Sequence, residues 1–167
     1  MRHQKGFTLI ELIIVIVVLG ILAVTAAPQF INFSSDARES TIKGLEASMK
    51  SAVELSYAKA AVENKLSGEA SITTADGSTV ALMNGYPKAA AIAAAAGAGG
   101  DWTFEEKTTG VYTSGSEANG VYVGTLSSLT DASPTSTEIE ATNCFITYTD
   151  NADDLGKPSP AATISGC

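Results

Sequence analysis

The sequence predicts an α+β protein in which one long N-terminal α-helix packs on a small antiparallel β-sheet head. Three observations predict it. Residues 7–31 form an apolar run of 25 residues with a single charge, Glu11. From Ser35 the pattern becomes amphipathic, with apolar residues at three- and four-residue spacings. Beyond Ser67, short alternating stretches are separated by turn dipeptides, and two cysteines lie towards the C-terminus. Four segments follow: a leader at 1–6, a transmembrane or core helix at 7–31, an amphipathic helix at 32–66, and a head at 67–167.

The leader, Met1-Arg2-His3-Gln4-Lys5-Gly6, is short and basic. A secretory signal would place a small-residue cleavage site after its apolar run. Here the apolar run opens directly after Gly6 and leads through Pro28 into further helix. About 20 apolar residues are enough to span a bilayer, and lipid leaves the backbone no partner but its own helix. Glu11 is the anomaly, because a carboxylate in a membrane helix is expensive and is a functional suspect by default. Gly20 and Pro28 weaken this helix. Glycine costs about 1 kcal/mol relative to alanine in a helix interior, and Pro28 has no N–H for the carbonyl of Val24.

In the second helix Ile42, Leu45, Met49, Ala52, Val53 and Ser56 fall on one face. Glu39–Lys43, Glu46–Lys50 and Lys59–Glu63 have the spacing of supporting ion pairs. Ser67-Gly68 supplies stop chemistry, with the helix fraying over Asn64–Gly68.

In the head, Ser71–Thr74 and Ser78–Met83 flank Asp76-Gly77 as a small hairpin. Asn84-Gly85 is a turn into an alanine-rich helix over Ala89–Ala96, with Pro87 near its first turn. The Gly97–Gly100 cluster follows a helix rather than a strand, so it is a connection and not a dinucleotide loop. Trp102 and Phe104 read as core aromatics, with stacking on a sugar as the functional reading. Gly120–Leu126 and Thr142–Thr149 read as strands, Ala161–Ser165 as a last one, and Ser127–Thr137 as a surface loop. Asp150–Asp154 is acidic enough to suggest a calcium loop but lacks the glycine and glutamate of EF-hand spacing.

Charge and composition exclude several function classes. Residues 67–167 hold twelve acids against three lysines, a net −9. Such a head is unsuited to nucleic acid, whose phosphates require Lys and Arg. The one histidine, His3, lies in the leader. Without it there is no Ser-His-Asp or Cys-His nucleophile and no usual zinc set. No cofactor motif is present. Glu105-Glu106 and Asp153-Asp154 read as solvated surface. An exported head with Cys144 and Cys167 reads as one disulfide; a two-cysteine metal half-site would lack histidine partners.

Lys5-Gly6-Phe7-Thr8-Leu9-Ile10-Glu11-Leu12 resembles the prepilin processing motif of type IV pilins and their relatives. The resemblance covers the first third of the chain. It implies cleavage between Gly6 and Phe7 by a prepilin peptidase and methylation of the new Phe7 amine. It implies that Glu11 pairs with the Phe7 amine of a neighbouring subunit, and that the helix between Gly20 and Pro28 unwinds when the subunit leaves lipid for a helical homo-oligomeric filament. A second resemblance extends into the head. Asn84-Gly85-Tyr86-Pro87-Lys88-Ala89, Trp102, Cys144-Phe145-Ile146-Thr147-Tyr148-Thr149 and terminal Gly166-Cys167 are similar to the mannose-sensitive haemagglutinin class of major pilins.

The expectation is thus a non-enzymatic major pilus subunit, held first in the bacterial inner membrane and then in an extracellular pilus. Its expected partners are further copies, the assembly machinery, minor pilins and surface glycans. The alternative is a minor pilin or a type II secretion pseudopilin, which share the N-terminal motif. A membrane-anchored enzyme is opposed by the missing histidine and nucleophile.

Overall fold

The structure, a computed structural model, describes residues 7–108, 119–150 and 156–167, and for 27–32 the backbone only. The expectations for the leader and for Asp153-Asp154 lie outside the described residues. The architecture is α+β, as expected. Helix α1 (Leu9–Val62) is followed by strands β1 (Glu69–Thr73), β2 (Thr79–Met83) and β3 (Tyr86–Pro87). A 3-10 turn (Ala89–Ala91) leads into α2 (Ile92–Ala95). Then come β4 (Trp102–Thr108), β5 (Val121–Leu126), a second 3-10 turn (Ser127–Leu129), α3 (Ser136–Ala141), β6 (Phe145–Thr149) and β7 (Ala161–Thr163). The strands form two antiparallel sheets, β1-β2-β3 and β4-β5-β6-β7. The chain divides into two units, 1–37 and 38–167, and α1 contributes to both.

In the second unit, the helix face foreseen from spacing is the buried one. Ile42, Leu45, Met49, Ala52, Val53 and Ser56 are all buried, and Ala60 extends the face. Leu45, Met49, Ala52 and Val53 pack with Ile92, Ile146 and Tyr148. Ala60 packs with Ile72, Val80 and Leu82 of the first hairpin. Ile42 packs with the two cysteines. Asn64 ends the helix, rather than Ser67-Gly68. It adopts φ +57°, its N–H bonds Ala61 O at 3.2 Å, and the next N–H, of Lys65, bonds Ala60 O at 2.8 Å. This is the left-handed cap that satisfies terminal carbonyls, and asparagine is one of the few residues that enters it readily.

Two of the three expected ion pairs form, Glu39–Lys43 and Glu46–Lys50. The third does not. Lys59 Nζ instead donates to Thr73 O, and Glu63 pairs with Lys65. Lys-before-Glu is the weaker orientation on a helix, and an exposed strand edge offers Lys59 a carbonyl. Lys65 Nζ likewise reaches Ser71 O at 2.7 Å. The outer edge of β1 is therefore covered by two lysines, which blunts it against edge-to-edge pairing.

Three elements differ from expectation. The helix expected over Ala89–Ala96 is a 3-10 turn followed by the four-residue α2, and Pro87 lies in β3, paired with Leu82, rather than near the first turn of a helix. β4 runs through Glu105, Glu106 and Lys107, whose charge hides it from a pattern search. As the edge strand of its sheet, with an irregularity between Glu106 and Thr108, it tolerates such residues. The Ser/Thr-rich stretch 127–137 is not a plain loop, since α3 begins within it. The first hairpin, the Asn84-Gly85 turn and strands β5, β6 and β7 lie where the sequence places them, with boundaries shifted: β1 starts two residues earlier, at Glu69, and β6 three residues later, at Phe145. Asn84 (φ +50°) and Gly85 (φ +83°) give the left-handed pair that a two-residue hairpin needs between Met83 and Tyr86. A Cβ on Gly85 would stand 2.9 Å from Leu66 Cδ2.

Candidate functional site: the N-terminal segment and the head surface

The N-terminal segment is built from side chains with no counterpart in their own unit. From Leu9 to Ala26 the mean hydropathy is 3.0, and the stretch is long and apolar enough to cross a membrane. Leu9, Ile10, Leu12, Leu19, Ile21, Leu22 and Val24 are all exposed, and Phe7 stands 82% exposed ahead of them. Gly20 sits within α1, and a Cβ there would meet nothing within 4 Å. The helix backbone continues through position 28; the Pro28 side chain lies outside the described atoms.

Glu11 is held locally. Its Oε2 accepts from the Thr8 N–H at 2.9 Å and from the Thr8 hydroxyl at 2.7 Å, while its own N–H donates to Thr8 Oγ1 at 3.3 Å. This reciprocal arrangement is a capping box: Thr8 opens the helix and Glu11 closes back on it. Sequence reading singled out Glu11 for its charge and passed over Thr8. The signal was present, because Thr8-Leu9-Ile10-Glu11 is the Ser/Thr-x-x-Glu pattern ahead of an apolar run. The same pattern recurs at Thr135–Glu138, where the box opens α3. There the backbone N–H and then the hydroxyl of Thr135 hold the Glu138 carboxyl below the usual carboxylate range.

In the head, Cys144 and Cys167 are bonded, with Cα atoms 4.7 Å apart. Cys144 directly precedes β6, so the bond ties the C-terminus to the start of that strand. The two cysteines cluster with Ile42, and Trp102, Leu129, Ala162 and Ile164 pack against that cluster. Gly166 permits the approach, since a Cβ on it would stand 2.3 Å from Thr142 O. Trp102 is half-buried and packs at the margins of two core clusters. Phe104 stacks on Tyr122 at 5.7 Å and lies over Gly124. The packing of these aromatics within the sheet is the structural half of the two readings above.

Of the acidic stretch 150–154 only Asp150 lies within the described residues. Its side chain is buried, with Oδ2 accepting from Ala89 N and Oδ1 from Gly120 N, each at 2.9 Å. Beside it the Tyr148 hydroxyl donates to Pro87 O at 2.7 Å. Among the described residues no three His, Cys, Asp or Glu side chains come together as a metal site. One polar cavity of about 390 Å³ is lined by Ser128, Leu129, Thr130, Asp131, Pro134 and Glu138. Thr130 Oγ1 is buried without a hydrogen-bond partner among the described residues.

Comparisons with known proteins bear on the N-terminal segment. The profile of the prokaryotic N-terminal methylation motif matches residues 1–27. The chain is 43% identical over 63 residues to the type IV narrow pilus major component PilA5 of Thermus thermophilus, covering 38% of this chain and 51% of that protein. It is 45% identical over 51 residues to the type IV major fimbrial protein FimA of Dichelobacter nodosus, covering 30% of this chain and 33% of that one. With the fimbrial protein EcpC of Eikenella corrodens the likeness is 36% over 108 residues, 65% of this chain and 66% of that protein. The match thus spans about half the length of the first relative and a third of the second. No solved structure matches. In its N-terminal segment the chain is thus similar to type IV pilins.

Proposed function

With the methylation motif and the pilus relatives as premise, we propose that this chain is the major subunit of a type IV pilus. It polymerises through its N-terminal helix into an extracellular filament that serves adhesion, surface colonisation and motility. The carrying observation is the apolar surface of residues 9–26, exposed throughout. A surface of that extent does not persist in water and marks a membrane or protein contact. A bilayer covers it in the precursor pool of the inner membrane; the same helices of neighbouring copies cover it in the filament.

Processing fits this passage between two apolar surroundings. A prepilin peptidase cutting between Gly6 and Phe7 removes Arg2 and Lys5, two cations that would otherwise stand where the packed apolar layer begins. Methylation of Phe7 leaves its amine charged. In a dry filament core an unpaired carboxylate is strongly unfavourable, and Thr8 supplies Glu11 with hydrogen bonds but no charge. The Phe7 amine of a neighbouring copy is the cation that completes the pair and sets axial register. Gly20 and Pro28 bound the segment that unwinds as the helix leaves lipid. The head resembles that of the mannose-sensitive haemagglutinin class, which makes surface glycans the receptors to test first. Minor pilins and the assembly machinery are the other partners.

Intact-mass measurement of sheared surface filaments tests the proposal. The expected species lacks Met1–Gly6 and carries one added methyl. Glu11→Ala should insert and be cleaved yet give few or no filaments. Abundant normal filaments from cleaved Glu11→Ala subunits, or filament subunits retaining Lys5, would overturn it.

A further inference from the structure

The charge partners of the second unit leave one cation over. All seven described lysines have an acceptor: Lys43, Lys50, Lys65, Lys88, Lys107 and Lys157 pair with carboxylates, and Lys59 takes the Thr73 carbonyl. Arg38 is the exception. Among the described residues it makes no ion pair and no side-chain hydrogen bond, and it is the one arginine outside the leader. It lies on α1 one turn before Ile42, at the margin of its unit.

The cavity at 128–138 offers the complementary chemistry. Asp131 is exposed at it and has no ion pair or hydrogen bond among the described residues. Glu138 turns Oε2 to the Thr135 cap, and among the described residues its Oε1 accepts no hydrogen bond. Ser128 adds an exposed hydroxyl. Among the described residues no lysine or arginine lines the cavity. Arginine presents five donors in a planar fork that matches carboxylates better than an ammonium does.

We propose that Arg38 of one copy docks in the Ser128–Asp131–Glu138 cavity of a second copy of this chain. This rests on the filament reading, which brings copies side by side. It deepens that reading by naming a polar contact outside the apolar helix. Two heads of net −9 repel one another, and a contact of opposite charge offsets that repulsion where it matters, at the interface. Like charges facing each other suppress wrong registers, so the pair contributes to alignment as well as to attraction.

The test uses the full chain in a piliated host, with sheared filament measured against the subunit held in the membrane. Arg38→Glu alone and Asp131→Lys alone should each reduce filament yield by about tenfold, with membrane subunit and the Cys144–Cys167 bond unchanged. Co-expression of the R38E and D131K chains should restore filaments, because every mixed contact then joins opposite charges. Undiminished yield from either single variant overturns the pairing. Recovery in the doubly substituted chain but not in the mixture places the pair within one chain, which also overturns it. Failure of both to recover does the same. If the unaltered chain forms no filament, the filament reading itself falls, and that result is distinct from filaments that form without regard to these charges.

Discussion

Asp150 joins three segments of the head through one carboxylate. Its two oxygens hold the N–H groups of Ala89 and Gly120, and its own N–H bonds Gly120 O at 3.0 Å. Removing the carboxylate would strand two buried donors, each costing about 1–3 kcal/mol. Asp150→Ala should therefore destabilise the protein by about 3 kcal/mol, read as a lower midpoint in denaturant with the slope unchanged. A variant of wild-type stability would show that water replaces the carboxylate.

Glu138 makes a sharper prediction with pH. Its carboxyl is held below its ordinary value by Thr135, so the folded state binds its proton less readily than the unfolded chain. The contribution is complete above the unfolded carboxylate range and is lost as pH falls through the lower folded value. Glu138→Gln should flatten this acid limb and leave the pH dependence near neutrality unchanged. The residue-specific titration of Glu138 in micelle-bound full chain, followed by NMR, checks the direction. A midpoint at or above the free carboxylate value would contradict it.

At the scale of elements, the last strand is the weakest piece by itself. β7 has three residues and pairs only with β6. The Cys144–Cys167 bond closes a loop of 23 residues in sequence separation. Loop-entropy estimates give about 3–4 kcal/mol for that length. Cys167→Ser should leave membrane insertion intact and lower the thermal midpoint and filament yield together. Gly166→Ala should act on the same corner by crowding Thr142 O, costing about 1–3 kcal/mol. Normal thermal stability in the reduced protein would remove the disulfide from the account of the fold.

For the whole molecule, charge and apolarity are segregated. The apolar surface lies in residues 9–26, while the head carries its excess of acids. Filaments of this subunit alone should not bind DNA, because counterion release needs cations and six of the seven described lysines are already paired with carboxylates. Salt-sensitive retention of DNA on pure filaments would contradict this.

The sequence by itself determined the elements whose signal is local or periodic. The apolar run around Glu11, the buried stripe from Ile42 to Ser56, the Asn84-Gly85 turn and the alternating strands near Tyr122 and Tyr148 all declare themselves through spacing and turn chemistry. The two capping boxes are equally local and are legible in the Thr-x-x-Glu spacing at Thr8 and Thr135. Tertiary structure alone decided the rest. β4 is a strand because β5 offers it a ladder, despite its three charges. Lys59 abandons Glu63 because a strand edge 14 residues away presents a carbonyl. Asp150 turns inward because Ala89, 61 residues distant, leaves a donor in need of an acceptor. Arg38 is set apart only by the pairing of every described lysine. Such choices depend on partners that sequence spacing does not place, and a buried polar group goes where its hydrogen bonds are satisfied.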